Sequence, residues 1–305
     1  MPSLQKWVDM LAAATLPVLS RTVHELELLR CDGEAATPSR VAQIVLHDPI
    51  MTVKVLQYLQ RHRTQRRSAE ITTIAHALMM LGTDSFYSQL GEQITIETQL
   101  IDDQIALDGV RLVISRARHA ALYAQDWSLL RHDMDPEEIM IAALLHDLAE
   151  MMLWCFAPPL AIEIADRQMR DSTLRSDEVQ RAVIGFRLHD LQLELVRVWQ
   201  LPELLHVLMD ETQAHNPRKK NIMLAAAVAR HSAQSWSNLA LPYDYMHVAQ
   251  LLGLSYENVM MRIETVALQA NSEWEWYGVQ PRVQTVASHT SSESNLPEAD
   301  GGLIV

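Results

Sequence analysis

Prolines placed directly behind a helix-capping or helix-entry residue constrain the fold of this chain more than any other feature. Thr37-Pro38, Asp48-Pro49, Asp135-Pro136 and Leu201-Pro202 each stand where an apolar pattern of helical period begins. Proline is tolerated at a first helical position because the N–H it lacks has no intrahelical partner there. A preceding Thr or Asp can accept a bond from one of the remaining free N–H groups. Thr37-Pro38 therefore predicts a short helix presenting Val41, Ile44 and Val45, and Asp48-Pro49 predicts the next, presenting Ile50, Val53, Leu56 and Leu59. Two short helices almost back to back demand a sharply turning bundle. Only 9 of the 305 residues are Gly while 49% are apolar. Tight hairpins draw on glycine-rich turns and helices do not, so the expected fold class is all-α.

The rest of the chain carries the same punctuation. Ile71, Ile74, Ala75, Leu78 and Leu81 recur at helical spacing, and Gly82 is placed to stop them. Residues 86 to 100 read as one helix, and Asp102-Asp103 opens a polar break. The division that follows is an N-terminal helical lobe over residues 1–108, a second helical lobe over 109–281 and a tail over 282–305. In the second lobe Asp135 is placed to cap, with Glu138 completing a capping box. The helix it opens carries the apolar run Ile139 to Leu148 and ends before Pro158-Pro159. Further helices are expected from Ala161, from Ser176, after Pro202, and over 222–236, 243–252 and 255–270. The tail is Ser, Thr, Glu and Gly with little to bury, and is expected to be disordered.

Charge and cysteine usage restrict the partners. A net charge of −13 repels nucleic-acid phosphates and anionic lipid, so neither DNA or RNA nor a membrane is an expected partner. Cys31 and Cys155 read as free thiols of a reducing compartment. The amino terminus lacks a basic segment followed by an apolar run, and no stretch of about 18 uncharged apolar residues occurs. A cytoplasmic location is expected. One basic cluster, Arg61, Arg63, Arg66 and Arg67, is a candidate site for a nucleotide phosphate, a dinucleotide second messenger or an acidic partner, although cations at a helix end also complement its dipole. Trp274 and Trp276, just before the tail, are candidates for docking a partner or a second copy.

His146-Asp147 interrupts the apolar run, and His119 precedes it by about one helix. Two imidazoles and a carboxylate suit zinc, iron or manganese, and a bound water would become a nucleophile toward a phosphoester. The competing reading is a buried polar pair that hydrogen-bonds internally and fixes helix register. No glycine-rich phosphate loop, nucleophile elbow or Cys-His arrangement is present.

Several segments together resemble the HDOD family of bacterial signalling proteins, catalytically degenerate relatives of the HD phosphohydrolases. Leu16-Pro17-Val18-Leu19 is similar to the family's Leu-Pro-x-Leu-Pro opening. The run Val41 to Leu56, with Asp48-Pro49, Thr52 and Lys54, resembles its most specific signature, and Ile71 to Gly82 resembles the next. Ala143-Leu144-Leu145-His146-Asp147-Leu148-Ala149 is similar to its Gly-Leu-Leu-His-Asp-Ile-Gly run. Gly185-Phe186-Arg187-Leu188-His189 with Trp199-Gln200-Leu201-Pro202 matches the later helix and turn. The resemblance covers residues 10 to 240 and implies two helical lobes, the second HD-like.

Departures from the pattern bear on activity. Met209-Asp210-Glu211-Thr212 stands where relatives often show a His-His pair, and Gln60-Arg61 replaces a small polar pair. A working HD site also needs a closing Asp in the helix near Ala225 to Gln234, where this chain has Arg230 and His231. The resemblance therefore implies a non-enzymatic signal-transduction or scaffolding module with no cofactor, working with protein partners in a signalling pathway. A groove between the lobes is expected to be the part that a partner or small ligand biases. Two alternatives remain open: a metal-dependent hydrolase of a nucleotide or cyclic dinucleotide, with His119, His146 and Asp147 as ligands, and a second-messenger sensor without turnover. A homo-oligomer is compatible with each.

Overall fold

The computed structural model describes residues 2–33, 36–62, 71–171, 174–210 and 216–280. Among these the regular structure is helical, with one isolated β-bridge between Val18 and Thr95, and the all-α expectation holds. The chain opens with α1 (Leu4–Ala13), α2 (Ser20–Cys31), α3 (Pro38–Val45), α4 (Pro49–Arg61), α5 (Ile74–Leu81) and α6 (Thr83–Leu90). At Thr37-Pro38 and Asp48-Pro49 the proline punctuation works as read. Thr37 Oγ1 accepts from the Arg40 N–H at 3.4 Å, and Asp48 Oδ1 accepts from Ile50 and Met51 at 2.9 and 3.0 Å. Gly82, at φ 80°, ends α5 and turns straight into α6, a conformation that glycine adopts without steric penalty.

Residues 86–100 are not one helix. After α6 the chain extends, so that the Val18 N–H donates to the Ile94 carbonyl at 3.0 Å and the Ile96 N–H to the Val18 carbonyl at 2.8 Å. Only then does α7 (Ile96–Gln99) form, capped by Thr95. Apolar spacing along 86–100 cannot register a pairing with residue 18, which is why a local pattern overruns here.

The long helix α8 (Gln104–Leu130) is the axis of the molecule, and the expected division at 108/109 falls inside it. Gly109 lies there beneath Trp154, whose ring sits 2.4 Å from where a Cβ would be, so only glycine admits this approach. Around α8 are α9 (Pro136–Leu144), α10 (Leu148–Phe156), α11 (Pro158–Arg170), α12 (Ser176–Ile184), α13 (Leu188–Val198), α14 (Glu203–Met209), α15 (Pro217–Gln234), α16 (Leu241–Leu252), α17 (Tyr256–Ser272) and α18 (Trp274–Tyr277). α9, α10, α15 and α17 pack directly on it. The apolar stretch 136–156, long enough by composition to cross a bilayer, is mostly buried as core. Side chains such as Ile139, Ile141, Leu144 and Leu145 are fully enclosed, each stabilising by about 1.5–3 kcal/mol relative to exposure.

The capping box expected at Asp135 does not form, and Glu138 is engaged by tertiary partners. Asp135 makes no side-chain cap bond. Glu138 instead accepts from Thr72 Oγ1 at 2.6 Å and from Arg218 Nη2 at 2.7 Å. Glu137 accepts from the Ile74 and Ala75 N–H groups at 2.8 and 3.3 Å, so the first turn of α9 supplies the carboxylate at the N-terminus of α5.

Candidate functional site

The helix expected to run through His146-Asp147 is broken at that pair. α9 ends at Leu144, residues 145–147 form a turn, and α10 begins at Leu148. In an unbroken helix the Ala149 N–H would donate to the Leu145 carbonyl. Here the side chain of Gln192, from α13 and only 1% exposed, takes both positions. Its Oε1 accepts from the Ala149 N–H at 2.8 Å, and its Nε2 donates to the Leu145 carbonyl at 2.8 Å. One buried amide thus bonds both groups at the break, the Leu145 carbonyl also taking the Leu148 N–H at 3.2 Å, and the His146 and Asp147 side chains are no longer fixed at helical spacing.

Asp147 sits at the centre of an ion-pair network. Its Oδ1 accepts from His146 Nδ1 at 2.8 Å, and its Oδ2 accepts from Arg116 Nε at 3.1 Å and Nη2 at 2.7 Å. Arg116 Nη2 also donates to Glu150 Oε2 at 2.7 Å, and Arg230 Nη2 lies 3.9 Å from Asp147 Oδ1. Burial opposes the Asp147 charge, but the Arg116 guanidinium, the His146 bond and Arg230 outweigh it and hold the carboxyl well below its ordinary range. Burial likewise opposes the Arg116 charge, and Glu150 and Asp147 together reverse that, holding it above its ordinary value.

His119, one turn along α8 from Arg116, has both ring nitrogens engaged. Nδ1 donates to the Ser115 carbonyl at 2.8 Å, and Nε2 lies 3.1 Å from the Asn271 side-chain amide oxygen. A divalent ion needs imidazole lone pairs and a carboxylate turned to one point. Both Asp147 oxygens face cationic or N–H donors instead, and Arg230 approaches from the stretch where a closing Asp is wanted. His231 is turned to Asp244, with Nδ1 2.6 Å from Oδ2. Among the described residues no three His, Cys, Asp or Glu side chains gather in a way that would hold a metal ion. The donor set around Asp147 does not fit a divalent cation, and Arg116 supplies the positive charge.

A second polar cluster, which the residue patterns did not single out as a site, joins the two motif-bearing ends of the chain. Asp48 is fully buried, and its Oδ2 accepts from the Leu19 N–H at 2.8 Å, tying the Leu16-Pro17-Val18-Leu19 opening to the start of α4. Burial pushes its carboxyl up to about 6 despite bonds from the Met51, Leu19 and Ile50 N–H groups. Lys54 Nζ donates to the Leu16 carbonyl at 2.8 Å. Beside this anchor the His47 ring stacks on Trp276, with centroids 4.1 Å apart, and His47 Nε2 lies 3.5 Å from Glu273 Oε2. Arg118 grips Glu273 through Nε at 2.8 Å and Nη2 at 3.0 Å and reaches the Leu46 carbonyl at 3.4 Å. Trp276 is therefore packed within the chain, while Trp274 is 39% exposed. Arg118 falls on the apolar face of α8 with Ile114, Ala117 and Ala121, which was the available signal for this cluster, and nothing in the spacing paired it with a residue 155 positions away.

Arg61 is exposed at the end of α4. Arg63, Arg66 and Arg67, Glu211-Thr212 and the 282–305 tail lie outside the described residues. A cleft of about 340 Å³ opens beside the second cluster, lined by Arg21, His24, Glu97, Arg111, Glu275 and Trp276 among others.

The architecture is shared with solved structures. It resembles the MmoQ response regulator of Methylococcus capsulatus str. Bath, with a TM-score of 0.62 and 18% identity over 83% of this chain and 98% of that one. It also resembles a virulence factor of Campylobacter jejuni subsp. jejuni, with a TM-score of 0.59 and 16% identity over 88% and 100% of the two chains. At these identities the likeness concerns the fold. No curated protein matches the sequence. The model of the HDOD domain matches residues 16–216, from the opening that Asp48 anchors through the broken helix at His146-Asp147 to the start of α15, and the chain belongs to the HDOD domain family.

Proposed function

We propose that this protein is a non-enzymatic, cytoplasmic signalling or scaffolding module that acts through contacts with protein partners. The observation that carries the reading is the Arg116 guanidinium bonded to both Asp147 and Glu150, where the HD relatives would place a metal. An arginine cannot release a proton or acidify a bound water at neutral pH, so the pair that would organise hydrolysis serves as an internal salt bridge. Hydrolytic machinery is lost on this reading while the helical scaffold is kept. What remains for such a scaffold is to present surfaces whose relative placement a partner or ligand shifts.

The test is elemental analysis of protein purified without chelator, together with phosphomonoesterase and phosphodiesterase turnover in added manganese. Substoichiometric metal and no turnover are expected. Near-stoichiometric metal with turnover that Asp147→Asn abolishes, in a chain that stays folded, would overturn the reading in favour of a hydrolase. Affinity capture from cell extract is expected to retain specific protein partners, and retention of none across several growth conditions would count against the module.

A further inference from the structure

We propose that the 340 Å³ cleft between α2 and α18 binds a small zwitterion, an α-amino acid, whose carboxylate meets Arg111 and His24 and whose ammonium meets Glu275. The inference is independent of the signalling reading, since it concerns occupancy of one cleft and holds whether or not the protein hydrolyses anything. The walls come from three parts of the chain: Arg21 and His24 of α2, Glu97 of α7 with Arg111 of α8, and Glu275, Trp276 and Gly278 around α18. The last wall is fixed in place. Tyr277 within it is 2% exposed, Arg118 grips Glu273 through two bonds, and Trp276 stacks on His47.

Arg111 is held in the cleft but not satisfied there. Glu97 accepts from the Ser20 N–H at 2.9 Å with one oxygen and from Arg111 Nη2 at 3.1 Å with the other, which fixes the guanidinium beside the first turn of α2. Among the described residues the Arg111 side chain makes no other hydrogen bond: Nε is buried without an acceptor, and Nη1 has none. A Cβ on residue 278 would lie 3.4 Å from Nη1, and glycine leaves that nitrogen uncovered. A guanidinium offers five N–H donors in a planar fork that matches a carboxylate, so one with a single engaged nitrogen has donors to spare. His24, half-buried one turn into α2, has no hydrogen bond or ion pair among the described residues and supplies a further donor. Arg21, by contrast, is committed to Glu25 at 2.7 Å.

Charge chooses between ligand classes. Glu275 is exposed and has no hydrogen bond or ion pair among the described residues. A phosphate or nucleotide drawn to Arg111 would bring its several negative charges beside Glu275 and Glu97, on a chain of net charge −13. A simple amine would answer Glu275 and leave Arg111 without a partner. A zwitterion answers both and adds no net charge. The volume agrees, since 340 Å³ lies at the small end of the roughly 300–1,000 Å³ of small-molecule sites. Trp276 then supplies an aromatic wall for the ligand's side chain, its other neighbour being the His47 ring.

The test uses the full chain with 5-fluorotryptophan incorporated, the Trp276 fluorine resonance being assigned by Trp276→Phe. Trp127, enclosed in α8, is the internal reference for the intact core. Glycine, L-leucine and L-glutamine are each titrated to about 20 mM, and L-leucine is expected to shift the Trp276 resonance saturably with Trp127 unmoved. N-acetyl-L-leucine lacks the ammonium and L-leucinamide lacks the carboxylate, so each should bind roughly tenfold more weakly for want of one charge-assisted contact. Glu275→Gln, at an exposed position without a partner in the fold, should weaken L-leucine roughly tenfold and leave N-acetyl-L-leucine unchanged. No saturable shift with any of the three amino acids would overturn the site. So would equal binding of L-leucine and N-acetyl-L-leucine, or an L-leucine affinity that Glu275→Gln does not change. A Trp276 shift with inorganic phosphate but not with L-leucine would overturn it too, and would assign the cleft to simple anions.

Discussion

Asp48 and Asp147 each follow a histidine and each lose their water, yet backbone amides answer the first and a guanidinium answers the second. The N–H groups of Leu19, Ile50 and Met51 leave the Asp48 carboxyl raised to about 6, because dipoles alone do not offset its burial. Arg116 holds Asp147 ionised far below that range. The histidines differ in the same sense. His146 bonds its own neighbour, whereas His47 turns away from Asp48 to meet Trp276 and Glu273. An identical dipeptide thus serves as a loop anchor beside a packed turn in one place and as an internal salt bridge in the other. The dipeptide alone assigns neither role.

Removing the cation should break this comparison most severely. Arg116→Met leaves Asp147 and Glu150 facing each other with only Arg230, 3.9 Å from Asp147, as a remaining counter-charge, and is expected to lower unfolding free energy in urea by about 3–5 kcal/mol. Adding Asp147→Leu should recover a substantial part of that loss, and additive losses in the double variant would show that the pair is not coupled. Gln192→Leu, which strands the Ala149 N–H and leaves the Leu145 carbonyl only the Leu148 N–H at 3.2 Å, should lose about 1–3 kcal/mol, and an unchanged urea midpoint would mean that the helix break is held by something else.

The two carboxyls also predict opposite responses to pH. Asp48 has a raised value in the folded state, so its contribution to stability is full below its unfolded value near 3.8 and is lost as pH rises through about 6. Glu273 is lowered to about 2 because the His47 and Arg118 contacts outweigh its burial, so its contribution is full above its unfolded value near 4.5 and fades as pH falls toward about 2. Asp147 behaves in the same sense as Glu273. Urea unfolding of Asp48→Asn should therefore lose the decline between pH 4 and 6 that the parent chain carries on account of Asp48. An identical pH profile in the two proteins would refute this assignment. At pH 7 the same substitution should cost about 1–3 kcal/mol, since an amide oxygen still caps α4 but the amide nitrogen cannot accept from the Leu19 N–H. The smallest effect is expected from manganese or EDTA, neither of which should move the melting temperature of the parent protein, because a ligand stabilises only a folded state that binds it.

Much of the N-terminal half was legible because its signals are local. Thr37 and Asp48 cap the helices that their prolines open, and Gly82 stops the helix it was placed to stop. The expectations that failed did so where a distant residue competed with a near one. Residues 91–95 leave helix to pair with Val18, Glu138 leaves its own helix end for Thr72 and Arg218, and Gln192 splits the apolar run at His146-Asp147. For the candidate site, the sequence singled out Arg230 and His231, and packing sets Arg230 3.9 Å from Asp147 and turns His231 to Asp244. It gave no indication that Arg116 would occupy both oxygen-bearing partners, because one arginine among several on α8 looks like a solvated charge until packing buries it.

The chain by itself determined its helical class, most helix starts and its family, since these follow from proline geometry, capping chemistry and apolar period, all of which act over a few residues. Tertiary structure alone decided which charge meets Asp147, where the long apolar helix breaks, and that Trp276 lies on His47. Each of those outcomes depends on which polar groups lose water together, and that is set by contacts between residues tens to hundreds of positions apart.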